Sequence, residues 1–188
     1  MKISIKNMVC ERCLASVRKI FDDMGIEVSD VVLGEVSLSE PLTEQQKKIL
    51  EKHLSENGFE LLEEVSEKQI EKIKNLIVSK ISALDIEENF KLSEYISQHI
   101  HKEYSGLSKL FSQFENTTLE QYFILQKIEK VKELLAYNEH TLSEISVMLG
   151  YKTVQHLSSQ FRKTTGFSPS EFRRLKNKNR LPLDKIKS

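Results

Sequence analysis

Residues 141–163 read TLSEISVMLGYKTVQHLSSQFRK, two short amphipathic segments on either side of a glycine. Thr141-Leu142-Ser143-Glu144 fits a capping box, in which a threonine oxygen and a glutamate carboxylate satisfy each other's backbone N–H groups at the start of a helix. Leu142, Ile145 and Leu149 then fall on one face, and Gly150 stands where a helix ends. Thr153 can cap a second helix, whose Val154, Leu157 and Phe161 recur at the spacing of a buried stripe. The opposite face carries Thr153, Gln155, His156, Ser159, Arg162 and Lys163. These hydrogen-bonding and basic side chains can reach base edges or phosphates. Two helices meeting across a tight turn is the layout of a helix-turn-helix, with the second helix as the reader. The periodicity alone also fits a plain helical hairpin.

Charge separates these alternatives in part. The chain of 188 residues has zero formal net charge, but the balance is uneven. Met1–Lys91 holds 13 Lys+Arg against 18 Asp+Glu, whereas Leu92–Ser188 holds 15 against 10. Lys152–Ser188 alone has ten bases against Glu171 and Asp184. A basic pole on the half with the helical pair points to a polyanionic partner. A solvated basic tail over 176–188 is the other reading of the same residues.

Outward from the pair, Ile145-Ser146, Leu149-Gly150-Tyr151, Phe161-Arg162-Lys163 and the run Gly166-Phe167-Ser168-Pro169-Ser170-Glu171-Phe172-Arg173 resemble the signature of the AraC/XylS family of bacterial transcription regulators. The resemblance extends from about Leu92 to Arg173. It implies an all-α DNA-binding domain over 91–175, with two helix-turn-helix units joined by a long helix. Leu119–Ala136 looks like the joining helix, with Lys127 where arginine is common and Val131 where alanine is common. Leu92–Ile100 and Tyr104–Phe114 resemble the first unit, and carry-over places Tyr104, Ser105, Ser108 and Lys109 toward DNA. This unit departs from the family in having no glycine in its turn and in setting Glu103 near the groove. Two readers on one joining helix would enter successive major grooves on one face of a duplex.

The N-terminal third is of another class. Lys2–Lys6 alternates as a half-buried strand does. Leu14, Val17, Arg18 and Phe21 follow at helical spacing up to Gly25. Ile26–Leu33 and Glu35–Ser39 flank Gly34 as a hairpin, and Thr43-Glu44-Gln45-Gln46 is a second capping box ahead of Ile49, Leu50 and Leu54. Phe59–Leu62 supplies a last strand. The predicted order over 1–64 is β-α-β-β-α-β, an α+β ferredoxin-like arrangement. Ile70, Ile73, Ile77 and Ile81 then predict a connecting helix within 65–90, with the charges of Glu71–Lys74 on its other face.

Between the first strand and helix lies Met8-Val9-Cys10-Glu11-Arg12-Cys13, with the only cysteines of the chain. Two thiols at a helix N-terminus can bind a soft ion, cycle as a dithiol, or simply be buried. In its β-α-β-β-α-β setting the segment resembles the MxCxxC loop of heavy-metal-associated domains, and Gly58-Phe59 resembles that family's glycine and aromatic, although Asn7 replaces its usual glycine. The resemblance implies metal ligation by Cys10 and Cys13. Two thiolates suit copper(I), silver or mercury, or zinc shared across a dimer.

His99 and His101 lie two apart on a helix and cannot share a metal, and His53 and His140 read as surface residues. There is no Ser/His/Asp set and no phosphate-cradling glycine loop, so no enzyme is expected. Apolar runs stay below the ~18 residues needed to span a bilayer, and the start MKISIKNMVC does not read as a signal peptide, so a cytoplasmic protein is expected. The expected function is a sequence-specific DNA-binding transcription regulator, responsive through Cys10 and Cys13 to a soft metal ion or to thiol redox state. The alternative is a metal-delivery or interaction module whose helical half binds a protein. Double-stranded DNA is the expected partner; RNA polymerase and a homodimer remain open.

Overall fold

The computed structural model describes residues 1–62 and 65–174. Contacts divide the chain into two units, Met1–Asn75 and Leu76–Ser188. The bases Lys176, Lys178, Arg180, Lys185 and Lys187 of the expected tail lie outside the described residues.

The first unit runs β1 (Lys2–Lys6), α1 (Glu11–Asp23), β2 (Val28–Val32), β3 (Glu35–Leu38), α2 (Glu44–Glu56), β4 (Glu60–Leu62) and the start of α3 (Val65–Ser82). The sheet order is β2-β3-β1-β4, and each neighbouring pair is antiparallel. Alternation in β1 sends Ile3 and Ile5 inward, where they join Val31, Val36 and Leu38 from the sheet, Val17, Ile20 and Phe21 from α1, and Leu50 and Leu54 from α2. Ile49, expected in that stripe, is 43% exposed, because Leu50 and Leu54 already take the core-facing positions of α2. The predicted capping box forms, with Thr43 Oγ1 accepting from the Gln46 N–H and the Gln46 side chain accepting from the Thr43 N–H.

Glycines close both helices in the same way. In α1 the Gly25 and Ile26 amides donate to Asp22 and Phe21, and in α2 those of Gly58 and Phe59 donate to Ser55 and Leu54. Paired bonds of this kind around a left-handed residue satisfy the last free carbonyls of a helix, and Gly25 and Gly58 have φ of +65° and +80°.

The helix predicted within 65–90 ends at Ser82, and Leu84 turns the chain at φ +57°. Its apolar stripe is buried as expected, at Ile70, Ile73, Ile77 and Ile81. Glu71, placed by its spacing on the solvent face, is buried instead. Its Oε1 accepts the backbone N–H of Asn7 at 2.9 Å, a donor in a left-handed residue (φ +71°) just past the end of β1. An amide partly withdrawn from water needs an acceptor, and a carboxylate 64 positions away supplies it.

The second unit is helical beyond α3: α4 (Leu92–Ile100), α5 (Tyr104–Glu115), α6 (Leu119–Tyr137), α7 (Leu142–Met148), α8 (Val154–Thr165) and α9 (Pro169–Arg174). The joining helix α6 packs against α5, α7, α8 and α9. Phe111 and Tyr122 pair at 5.3 Å between α5 and α6, and Phe161 and Phe172 at 5.5 Å between α8 and α9. Ile86 forms an isolated parallel bridge to Leu149, its N–H donating to Met148 O at 3.1 Å. No helix among the described residues is long and apolar enough to cross a membrane.

Candidate nucleic-acid interface

The turn between α7 and α8 is built by backbone bonds. The Gly150 N–H donates to Val147 O and the Tyr151 N–H to Ser146 O, with Gly150 at φ +65°. A Cβ at this glycine would lie 2.7 Å from Glu87 O and 2.9 Å from Ile86 O, so glycine is required by both conformation and space. The Thr141–Glu144 capping box starts α7. Hydrogen bonds from Thr141 hold the Glu144 carboxyl below its ordinary pKa, the backbone N–H first. Thr153 caps α8, its Oγ1 accepting from the His156 N–H at 3.0 Å.

Leu157 and Phe161 are wholly buried in this arrangement. Thr153, Gln155, His156, Ser159, Arg162 and Lys163 are all exposed. The polar edge of α8 is therefore free to meet a partner, while its apolar edge is spent on the core. Arg162 and Lys163 sit in the last turn, favourable for cations at the negative end of the helix dipole. Lys152 and Arg174 are also exposed nearby in sequence.

The first helix pair has the same plan with different turn chemistry. His101, at φ +58°, takes the left-handed position between α4 and α5 that Gly150 takes in the second pair. A non-glycine residue there costs about 1 kcal/mol of backbone strain. Ser105 and Lys109 are exposed on α5 and Ser108 is half-buried. Tyr104 is half-buried too, and its hydroxyl donates to Glu120 Oε1 of α6 at 2.6 Å. Burial first and this bond second raise the Tyr104 pKa. Glu103 caps the backbone of α5 with no bond from its side chain to the helix.

Sequence reasoning missed what lies behind α8. Lys127 of α6 is buried, with its Nζ 3.7 Å from the Tyr151 ring centroid and 5.5 Å from that of Phe123. Burial pushes its pKa down to about 8. Tyr151 donates its hydroxyl to Gln160 Oε1 at 2.7 Å. A lysine at an inward position of the joining helix was the one signal available.

In the other unit, Cys10 forms the N-cap of α1 and is exposed, and Cys13 is half-buried. Their Sγ atoms are 3.2 Å apart as free thiols. Burial is the main cause that raises the Cys13 pKa. Met8 is wholly buried in the core, against which Cys13 also packs. Two adjacent sulfurs with one open to solvent fit a soft ion that accepts two ligands. They do not fit a closed four-ligand zinc site, and no group of three or more His, Cys, Asp or Glu that could hold a metal occurs among the described residues.

Residues 96–175 match a family described as a helix-turn-helix domain. The chain is 31% identical over 78 residues to the xylose operon regulatory protein of Haemophilus influenzae, covering 42% of this chain and 20% of that protein. It is 30% identical over 97 residues to the HTH-type transcriptional activator RhaR of Mannheimia succiniciproducens, covering 50% and 35%. The chain thus spans about a third or less of the length of these relatives. Among solved structures, the C-terminal domain of AraT, a response regulator from Geobacillus stearothermophilus, superposes with a TM-score of 0.50 at 23% identity, covering 56% of this chain and 84% of that one. That likeness is one of fold.

Proposed function

We propose that this chain, whose C-terminal half is a helix-turn-helix domain of the AraC/XylS type, is a sequence-specific DNA-binding transcription regulator. The observation that carries the reading is α8. Six polar or basic side chains stand exposed on one edge, while Leu157 and Phe161 anchor the other. A helix held in this way can enter a major groove with Gln155 and Arg162 at base edges and Lys163 at phosphate. From α5, Ser105 and Lys109 are the exposed candidates for a second groove, with Ser108 beside them. The relatives are named as transcription regulators and not as enzymes. Neither RNA polymerase contact nor a homodimer is needed for this reading.

The test is to capture fragments of the source genome on the purified protein, sequence them, and measure affinity for the enriched site by fluorescence anisotropy. Gln155→Ala and Arg162→Ala each lose about 1 to 3 kcal/mol on that site if they remove a base contact. Lys163→Ala weakens all duplexes alike and lowers the salt slope by about one. Wild-type affinity in all three variants rejects the interface.

The second part of the proposal is that the first unit is a ferredoxin-like, heavy-metal-associated module in which Cys10 and Cys13 sense a soft ion or an oxidant. What supports it is the 3.2 Å sulfur pair at the surface. A bound copper(I) ion would supply a fixed positive charge that ties the two thiolates together. Copper(I) titration of wild type, Cys10→Ser and Cys13→Ser, read out as affinity for the enriched fragment, tests it. A metal-independent affinity in all three leaves a regulator without this input. Tight copper binding with no salt-sensitive DNA affinity leaves a metal-delivery protein.

A further inference from the structure

The burial of Lys127 needs an explanation. Burying a charge is costly unless it is paired, and an apolar residue of similar volume often fits such a site at less cost. Lys127 is only 8% exposed. Among the described residues, what its Nζ meets is the faces of Phe123 and Tyr151 and no carboxylate. At 3.7 Å from the Tyr151 centroid the contact is close for a cation over a ring, and the attraction grows as the side chain is withdrawn from water, as most of Lys127 is.

The ring thus gripped is also tied to the reading helix. Tyr151 donates its hydroxyl to Gln160 Oε1 at 2.7 Å and meets the His156 ring edge-on at 5.4 Å. Gln160 and His156 are four residues apart, one turn of α8, so one ring contacts the helix at two levels. The ring's tilt therefore sets the rotation of α8 about its own axis. That rotation decides which edge of the helix, with Gln155 and Ser159, points outward. Leu157 and Phe161 hold α8 against the core, and the hydrogen bond and edge-on ring contact of Tyr151 add two directional contacts on its other flank.

We propose that Lys127 is a positioning residue for DNA reading: its charge, clamped on the face of Tyr151, fixes the axial rotation of α8 relative to α6. The inference rests on the DNA-binding reading above and adds to it a residue that touches no DNA. An uncharged residue of the same length leaves the core filled and the ring unclamped. Arginine keeps the cation.

The test uses the full chain with Lys127→Met and Lys127→Arg. Three quantities are read: urea unfolding, hydrogen exchange of the α8 amides, and affinity for the fragment enriched by wild type against a random-sequence duplex. Lys127→Met is expected to match or exceed wild-type stability while losing about tenfold in affinity for the enriched fragment and little for random duplex. Its α8 amides exchange faster and its α7 amides do not. Lys127→Arg stays within about threefold of wild type. Wild-type affinity and exchange in Lys127→Met overturn the proposal, and so does a loss of stability and affinity together in both variants, which marks a merely structural residue. If wild type enriches no fragment, the DNA reading itself has failed, and the exchange data alone decide whether Lys127 holds α8. Should Lys127→Met not fold, Tyr151→Phe carries the test. It keeps the ring under Lys127 and removes only the bond to Gln160, so it is compared with Lys127→Gln, which removes the charge. Faster α8 exchange in Lys127→Gln as well as in Tyr151→Phe supports the clamp, and wild-type α8 exchange in Lys127→Gln overturns it.

Discussion

Replacing Gly150 by alanine tests the turn on which the second helix pair depends, and Gly166 provides its control. Both glycines are left-handed, at φ +65° and +82°. At Gly166 an added Cβ meets nothing within 4 Å. Gly166→Ala therefore pays only backbone strain, about 1 kcal/mol. At Gly150 the same Cβ would stand 2.7 Å from Glu87 O and from Ile86 Cγ2, and 2.9 Å from Ile86 O. Unstrained contacts between such atoms begin near 3.5 Å, so the backbone at 86–87 must retreat by several tenths of an ångström. That movement adds an overpacking cost of about 1 to 3 kcal/mol. It also pulls on the bond from the Ile86 N–H to Met148 O, now 3.1 Å, whose loss adds about 1 kcal/mol. Gly150→Ala is thus expected to cost about 3 to 5 kcal/mol, several times its control. Urea titrations of the two variants, followed by circular dichroism, measure the difference, and thermal midpoints should separate by about 10 to 20 °C for a unit of this size. Equal losses at the two positions would refute the reasoning, because they would mean that Ile86 does not lie on the turn.

Two other outcomes follow from single contacts. Thr153→Ala leaves the His156 N–H without the oxygen it now bonds at 3.0 Å; a loss of about 1 kcal/mol in unfolding free energy is expected, and a neutral result removes the cap from the account. For Lys127, the folded pKa of about 8 lies below its ordinary 10.5. Between those values the unfolded chain holds a proton that the folded chain has released, so this group makes stability rise with pH from about 8 upward, approaching about 3 kcal/mol at full deprotonation. Tyr151, whose pKa burial raises, works in the opposite direction near pH 10. The comparison therefore belongs between pH 7.5 and 9.5, where wild type should gain on Lys127→Met; parallel curves would show that the lysine does not titrate in this range.

The legible parts of the chain were those in which the informative residues are neighbours in sequence. Thr43 with Gln46 and Thr141 with Glu144 announce two helix starts, because a capping box closes within four residues. Gly25, Gly58 and Gly150 mark three ends for the same reason. The outward edge of α8 could be read residue by residue, since helical periodicity alone separates Leu157 and Phe161 from Gln155 and Arg162. The turn of the first pair was harder. Its left-handed position is held by His101, and no residue type other than glycine, and to a lesser degree asparagine, advertises that conformation.

What was not legible depended on partners far away in the chain. Glu71 has the spacing of a solvated residue, and only the amide of Asn7 makes its burial favourable. Ile86 was expected in a helix, yet it leaves the helix to bond at Met148. Tyr104 carries over as a residue facing DNA, while its hydroxyl is engaged with Glu120 across the α5–α6 contact.

By itself, then, the sequence determined the order of elements, the ends of most helices and the polar edge of the reading helix, because backbone hydrogen bonding and amphipathic spacing act over a few residues. Tertiary structure alone decided that Lys127 rests on Tyr151, that Ile86 lies against the Gly150 turn, and that Cys10 and Cys13 face each other at 3.2 Å with Met8 withdrawn into the core. The physical reason is the same in each case. A side chain's burial, charge state and partner are properties of the surface that packs against it, and that surface is assembled from segments tens of residues apart.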